Sequence, residues 1–190
     1  MVRLDKIVTK AGDGGKTRLA TGEEVWKAGA RVEAYGAVDE VNAVIGVARL
    51  HAEGAMDVRL ARIQNDLFDL GADLATPERD KPLPFEALRI TDAQVDRLEA
   101  EVDDVNSGLT ELTSFILPAG TPLATHLHHA RTVTRRAERA VVRLAQTPDE
   151  KVSAAAVKYL NRLSDLLFVA ARAANDGGKG DVLWTPGANR

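Results

Sequence analysis

Apolar residues fall into no helical rhythm before about residue 30, and then recur every three or four positions in five separate runs. The first run, residues 30–52, sets Val38, Val41, Ile45 and Ala48 on one stripe. The second, residues 56–75, carries Leu60, Ile63, Leu67, Leu70 and Leu74, the spacing of a helix that buries one face. Pro77, Pro82 and Pro84 then enforce a loop. A third run opens at Thr91, where Thr91 and Gln94 have capping-box spacing, continues through Val95, Leu98, Val102 and Val105, and stops near Gly108. The fourth has Thr121 as N-cap and Pro122 in the first helical position, and reaches about Gln146 with Leu123, Leu127, Ala130, Ala137, Val141 and Leu144 inward. Pro148 separates it from the fifth, residues 150–175, striped by Leu160, Leu163, Leu167, Ala170 and Ala174 and halted by Gly177 and Gly178. Five amphipathic helices joined by loops predict an all-α, five-helix bundle over residues 30–176. Residues 1–29 are broken by glycines, with a short strand expected at Lys6 to Thr9, and residues 177–190 read as an extended tail carrying Trp184.

Composition agrees and adds exclusions. A length of 190 residues suits one domain, 1–190. Aromatics are only 4%, so the core is expected to be aliphatic and alanine-rich. The absence of cysteine removes disulfides, thiolate metal sites and a cysteine nucleophile, and fits a reducing compartment. Met1 to Gly12 has no apolar run of signal-peptide type, and no stretch nears the roughly 18 apolar residues of a membrane span. These features point to the cytoplasm, without a membrane partner. A net charge of −3 argues against a general nucleic-acid binder. The charge is unevenly placed: residues 91–111 hold seven acids and one base, whereas residues 121–146 hold five arginines and one glutamate.

Two segments carry candidate chemistry. Thr9-Lys10-Ala11-Gly12-Asp13-Gly14-Gly15-Lys16-Thr17-Arg18 combines glycines, cations and hydroxyls, which suits phosphate held by backbone amides. Gly15-Lys16-Thr17 imitates the end of a P-loop, but Lys10 stands where that motif needs its first glycine. The bland reading is a flexible turn. In the fourth helix Arg131, Arg135 and Arg139 are four apart and share a face, with Arg136 adjacent and Glu138 close enough to hold the Arg135 fork. Such a row grips an oligophosphate, or else is a solvated face or a set of bundle salt bridges. The choice of arginine throughout favours geometric recognition of phosphate or carboxylate.

Lesser candidates lie on either side. Asn161 neighbours core residue Leu160 and needs a polar partner. Asp39-Glu40 lies near the first apolar stripe, where the arginines of the fourth helix are natural partners. His126, His128 and His129 form no Glu-x-x-His or His-Glu-x-x-His pattern and read as a solvated helix face. No Gly-x-Ser-x-Gly elbow occurs.

Taken in order, these segments resemble the PduO-type ATP:cob(I)alamin (corrinoid) adenosyltransferases. The likeness runs through Thr9-Lys10-x-Gly12-Asp13, Arg31-Val32-Glu33-Ala34-Tyr35-Gly36, Val38-Asp39-Glu40, Phe115-Ile116-Leu117-Pro118, Ala130-Arg131-Thr132-Val133, Arg135-Arg136-Ala137-Glu138-Arg139 and Tyr159-Leu160-Asn161-Arg162-Leu163-Ser164-Asp165. It implies a homotrimer of five-helix bundles with sites between subunits, and transfer of the 5′-deoxyadenosyl group of ATP to cob(I)alamin. It further implies ATP contacts from Thr9, Lys10, Ala11, Gly12, Thr17, Arg18, Lys27, Arg135, Arg136, Glu138, Arg139 and Asn161. Magnesium would ride on the phosphate oxygens rather than on protein side chains. Asp39 and Arg131 would pair across the subunit boundary, and Phe115 would lie against the corrin ring. A corrinoid reductase and an adenosylcobalamin-dependent mutase are the implied partners. Ala11 stands where Thr or Ser is frequent in the family, and Gly14 where Lys is common, with Lys16 two residues on. The competing class is a non-enzymatic helical module whose arginines bind an acidic protein face. A third reading is an ATP hydrolase.

Overall fold

The computed structural model describes residues 7–79 and 82–190. Two three-residue strands, β1 (Lys16–Arg18) and β2 (Glu24–Trp26), precede five helices: α1 (Ala30–Arg49), α2 (Gly54–Ala75), α3 (Asp92–Asn106), α4 (Pro122–Ala145) and α5 (Ala154–Ala174). The helices follow the apolar runs because each run can only be buried as a stripe. α1 packs on α2 and α4, α4 on α5, and α5 on α3. Ion pairs from Arg59 and Arg62 of α2 to Glu101 of α3 fasten the remaining side of the bundle.

Leu67, Leu70, Leu98, Leu127, Leu144, Leu160 and Leu163 are among the side chains at 0–1% exposure, interleaved with Ala34, Ala130, Ala137 and Ala171 at 0%. The small residues let α1, α4 and α5 approach closely, and the leucines fill what remains. Tyr159 is the large aromatic in this core. Its hydroxyl donates to Asp66 Oδ2 at 3.1 Å, and burial, reinforced by the Asp66 charge, pushes its pKa well above the ordinary phenol range.

Caps set the helix ends. Thr121 Oγ1 accepts from the Ala124 amide at 3.1 Å, with Pro122 opening α4. The Thr91–Gln94 capping box is formed at α3. α5 begins at Ala154, later than the expected residue 150, because Ser153 is its N-cap and accepts from the Ala156 amide. Glu150 is drawn off instead to the Arg31 guanidinium, which is 5% exposed and also donates to the Leu74 carbonyl at 2.6 Å.

The expected strand at Lys6 to Thr9 is not found: Ile7 to Thr9 are irregular, and Lys6 lies outside the described residues. The strands lie further on, where β1 and β2 pair antiparallel as Lys16↔Trp26, Thr17↔Val25 and Arg18↔Glu24. This hairpin is moored to the bundle by buried Leu19 and by the Ala20 amide donating to the Ala75 carbonyl at 3.1 Å. The tail is not free either. Trp184 N donates to the Phe115 carbonyl and Leu117 N to the Val182 carbonyl, each at 2.8 Å, around an Ile116↔Leu183 bridge.

Candidate active site

The N-terminal loop turns tightly before β1. Lys10 adopts φ 59°, and Gly15 φ 80° in a conformation a side chain would resist. The Gly15 amide closes a turn on the Gly12 carbonyl at 3.1 Å. A Cβ on Gly12 would stand 2.7 Å from Lys27 Nζ, so the glycine is what lets that ammonium lie over the loop. Thr9, Lys10, Ala11 and Arg18 are exposed, and Thr17 is half-buried. Lys16 is already engaged: its Nζ contacts Glu24 Oε2 at 2.9 Å and sits 5.1 Å from the centre of the Trp26 ring. That contact holds the Glu24 carboxyl below its usual range.

On α4 the arginine row is sorted by its neighbours. Arg136 reaches across to Glu40 of α1 as an ion pair, which lowers the Glu40 pKa and raises that of Arg136. Arg139 Nη1 donates to the Arg135 carbonyl at 3.0 Å. Arg135 is exposed, and its guanidinium has no hydrogen bond or ion pair to any described residue. Glu138 does not hold that fork as expected. It accepts from Asn161 Nδ2 of α5 at 3.0 Å, because α5 packs close enough for the amide to reach it first. Asn161 Oδ1 in turn accepts from Arg162 at 2.5 Å, which supplies the partner its position demanded. Beside them burial raises the Asp165 carboxyl, against the opposing pull of Arg162 and Arg135.

One helical turn earlier, Arg131 marks the edge of a second feature. Its guanidinium lies 5.9 Å from the centre of the Phe168 ring, and its Nε is buried without a partner. Burial, with the Arg135 charge behind it, makes its charged form less favourable than usual. Arg131 and Phe168 open onto a cavity of about 740 Å³ walled by Leu112, Phe115, Trp184 and Pro186. Phe115 is 79% exposed, so it is no core plug between α3 and α4, and its ring meets that of Trp184 edge-on at 6.0 Å. Phe168 and Trp184 were not singled out for this cavity from the sequence. Their signal, an aromatic in a chain nearly devoid of aromatics, was available.

Asp39 is exposed on α1 and forms no ion pair with a described residue; the arginine of α4 that reaches α1 takes Glu40 instead. Asp39 borders a separate hollow of about 430 Å³ shared with Tyr35, Phe68 and Gly71. Within one chain, then, Arg131 meets the Phe115 cavity, Glu138 and Asn161 share the α4–α5 surface, and Arg136 faces α1 through Glu40. No hydrogen bond or ion pair joins residues 7–27 to Arg135, nor Asp39 to Arg131, among the described residues.

One of the three histidines departs from the expected solvated face. His128 is 1% exposed, packs edge-on to Phe168 at 6.3 Å, and neither ring nitrogen has a partner. Burial lowers its pKa, since the charged ring would lose its hydration. His126 stacks on His51 at 5.2 Å, while His129 is exposed.

Fold and geometry define a class: an α-helical bundle that presents an open guanidinium face, suited to polyanions, beside an aromatic-walled cavity large enough for part of a flat organic ligand. Residues 7–174 match the family model described as cobalamin adenosyltransferase. A corrinoid adenosyltransferase of Mycobacterium tuberculosis is 49% identical over all of this chain and 97% of its own length. One from Bacillus subtilis is 42% identical over 93% of this chain and 91% of its own. Among solved structures, a PduO-type ATP:corrinoid adenosyltransferase variant from Lactobacillus reuteri, complexed with cobalamin and ATP, superposes with a TM-score of 0.83. It is 39% identical over 94% of this chain and 99% of its own. The chain belongs to the cobalamin adenosyltransferase family.

Proposed function

We propose that this chain transfers the 5′-deoxyadenosyl group of ATP to the cobalt of cob(I)alamin and releases triphosphate. The observation that carries the reading is the meeting, at Arg131, of a solvent-facing arginine row with a cavity walled by Phe115, Phe168 and Trp184. The Lactobacillus reuteri neighbour is described in complex with both cobalamin and ATP.

In the proposed reaction the cobalt(I) lone pair attacks C5′. A cobalt–carbon bond forms, the C5′–O bond breaks, and its electron pair leaves on the triphosphate. The reactive electron pair belongs to the corrinoid, so the protein's part is positioning and charge stabilisation. No general base is required. Arg135, with its guanidinium free, meets the charge that builds on the departing phosphates. Arg139 continues the row, Arg136 flanks it on the α1 side, and Glu138 and Asn161 flank it on the α5 side. Thr9, Lys10, Ala11, Gly12, Thr17, Arg18 and Lys27 close over the phosphates from the N-terminal loop. Magnesium accompanying ATP would neutralise charge on the phosphate oxygens, and no protein side chain is assigned to hold it. Phe115 occupies the lower face of the corrin ring and excludes an axial ligand, which makes cobalt(II) easier to reduce.

Because the loop and Arg135 are not joined within one chain, the complete site is assigned to a homotrimer in which neighbours contribute. Asp39 of one protomer pairs there with Arg131 of the next. Residues 1–190 act as one domain: an ATP loop at 1–29, the bundle at 30–176 and a tail at 177–190. Among the described residues no helix is long and apolar enough to cross a membrane. A cytoplasmic setting, a reductase that supplies cobalt(I) and a mutase that takes the product complete the proposal. Incubation with ATP and chemically reduced cob(I)alamin tests it. Adenosylcobalamin and free triphosphate are expected in equal amounts. No product, or ADP or AMP in place of triphosphate, would sink it.

A further inference from the structure

The cavity wall that carries Phe115 and Trp184 has little apolar burial to hold it. Leu112, Leu117, Val182, Leu183 and Trp184 are all 39–52% exposed, and Phe115 more so. Two segments, residues 109–120 and 181–184, nevertheless lie paired. Beyond the backbone bonds between them, what anchors them to the bundle is polar and lies at the end of α5. Arg172, 4% exposed at its side chain, donates through Nε to Asp181 Oδ2 at 2.7 Å, and Asp181 is 2% exposed. The other arm of the same guanidinium donates to the Thr110 carbonyl at 2.8 Å. Three residues on, Asn175, 2% exposed, donates to the Ala119 carbonyl at 3.1 Å and to Asp181 Oδ1 at 3.3 Å, and accepts from the Thr121 amide at 3.0 Å. Both ends of the Phe115 segment and the base of the tail thus converge on two adjacent side chains.

The backbone is shaped to admit this. A Cβ on Gly178, at φ 90°, would stand 2.5 Å from Arg172 Nη2, and one on Gly120, at φ 118°, would stand 2.1 Å from Asn175 Oδ1. Glycine at each point lets the loop close onto the polar pair. A buried guanidinium–carboxylate pair is a poor way to gain stability, because both charges give up water. It is a good way to fix geometry, because a planar fork admits few arrangements.

We propose that Arg172, Asp181 and Asn175 are positioning residues that set the distance between Phe115 and Trp184, and so the shape of the corrinoid pocket. They touch no reacting atom. The inference rests on the reading that this cavity takes the corrin ring.

The test uses the full-length protein with ATP. Asp181→Asn keeps size and removes the charge. Because breaking a buried pair can unfold a chain, the double variant Arg172→Met with Asp181→Leu refills the space with apolar atoms and keeps a folded comparison. Expected in both are faster amide exchange over residues 113–118 and 181–185, and unchanged exchange in α4. A loss of about tenfold to a hundredfold is expected in the rate starting from cobalt(II), with a one-electron chemical reductant supplied. The loss from pre-reduced cobalt(I) is smaller, and ATP affinity is unchanged. The proposal is overturned if exchange in the two segments stays as in wild type, or if the two cobalt states slow equally. A wild type that makes no adenosylcobalamin would instead sink the functional reading. The exchange data and direct cobalamin titration would then still decide whether the pair holds the pocket.

Discussion

Arg135 and His128 sit two helical turns apart on α4 and represent opposite uses of a polar side chain. Arg135 leaves its fork open to solvent, so in the proposed site its contribution is made only when phosphate arrives. Arg135→Ala is expected to cost about 3 kcal/mol of transition-state stabilisation, roughly a hundredfold in kcat/KM, on the scale of one lost oxyanion donor. Lysine there should recover part of the loss, as a point charge without the fork. Turnover like wild type in the alanine variant would remove Arg135 from its role. His128 is the reverse: enclosed, unpartnered and with its pKa lowered. The unfolded chain therefore takes up a proton first as pH falls, and stability declines from about pH 6.5 downward toward the folded-state value. The carboxyls Glu40 and Glu150, whose pKa values are lowered by their arginines, lose their contribution only below about pH 4.5. Between about pH 6.5 and 5.5 a melting temperature that falls in wild type but holds in His128→Leu is the expected result. Parallel declines would place the proton elsewhere. The arginine row was legible because its four-residue spacing is a property of sequence. The burial of His128 was not, because three clustered histidines look alike until the Phe168 ring closes over one of them.

At the scale of elements, α4 and α5 do two jobs along one contact. Ala130, Ala137 and Ala140 on α4 and Ala170 and Ala171 on α5 belong to one buried cluster, and the packing of the two helices brings Asn161 to Glu138. Ala137 lies between the site residues Arg136 and Glu138 and is fully buried. Ala137→Leu should overpack that contact at about 2 kcal/mol, read as a lower urea midpoint. It should also weaken ATP binding, read by calorimetry, because the helix face carrying the arginines must shift. Unchanged ATP affinity at reduced stability would show that the face tolerates such a shift. The helices themselves were legible to within a few residues, since apolar period and caps report the same boundaries. The β1–β2 hairpin was not. Three residues per strand give too little alternation to read, and its mooring through Leu19 and Ala20 is long-range. The pairing of the tail with the Phe115 segment was hidden for the same reason, as it rests on backbone bonds between residues some 65 apart in the chain.

For the whole molecule, the proposed site calls for more than one chain. Asp39 stands exposed on α1 beside Phe68, which is 71% exposed, while Arg131 on α4 keeps a buried Nε with no partner. The Asp39 hollow and the Arg131 cavity share no lining residue, and in the proposed trimer the contact that joins them is heterologous. Such a contact must close into a ring or run on as a fibre, whereas a two-fold dimer would make the same pair twice across one shared patch. A trimer is the smallest ring that satisfies this. Asp39→Asn keeps the side chain's shape but leaves Arg131 without a full counter-charge. Removing one member of a desolvated pair costs about 2–5 kcal/mol per contact. With one such contact per protomer of the proposed trimer, sedimentation at low protein concentration should show wild type at the trimer's mass and Asp39→Asn dissociating. The apparent KM for corrinoid should rise along with it, since in the proposed assembly the Arg131 edge of the Phe115 cavity lies at that boundary. Exchanging the charges, as Asp39→Arg with Arg131→Asp, should restore assembly ahead of activity, because the aspartate no longer stacks on Phe168. Asp39→Asn that sediments as a trimer with an unaltered corrinoid KM would show that Arg131 finds its anion elsewhere, and the ring would need another contact to close it.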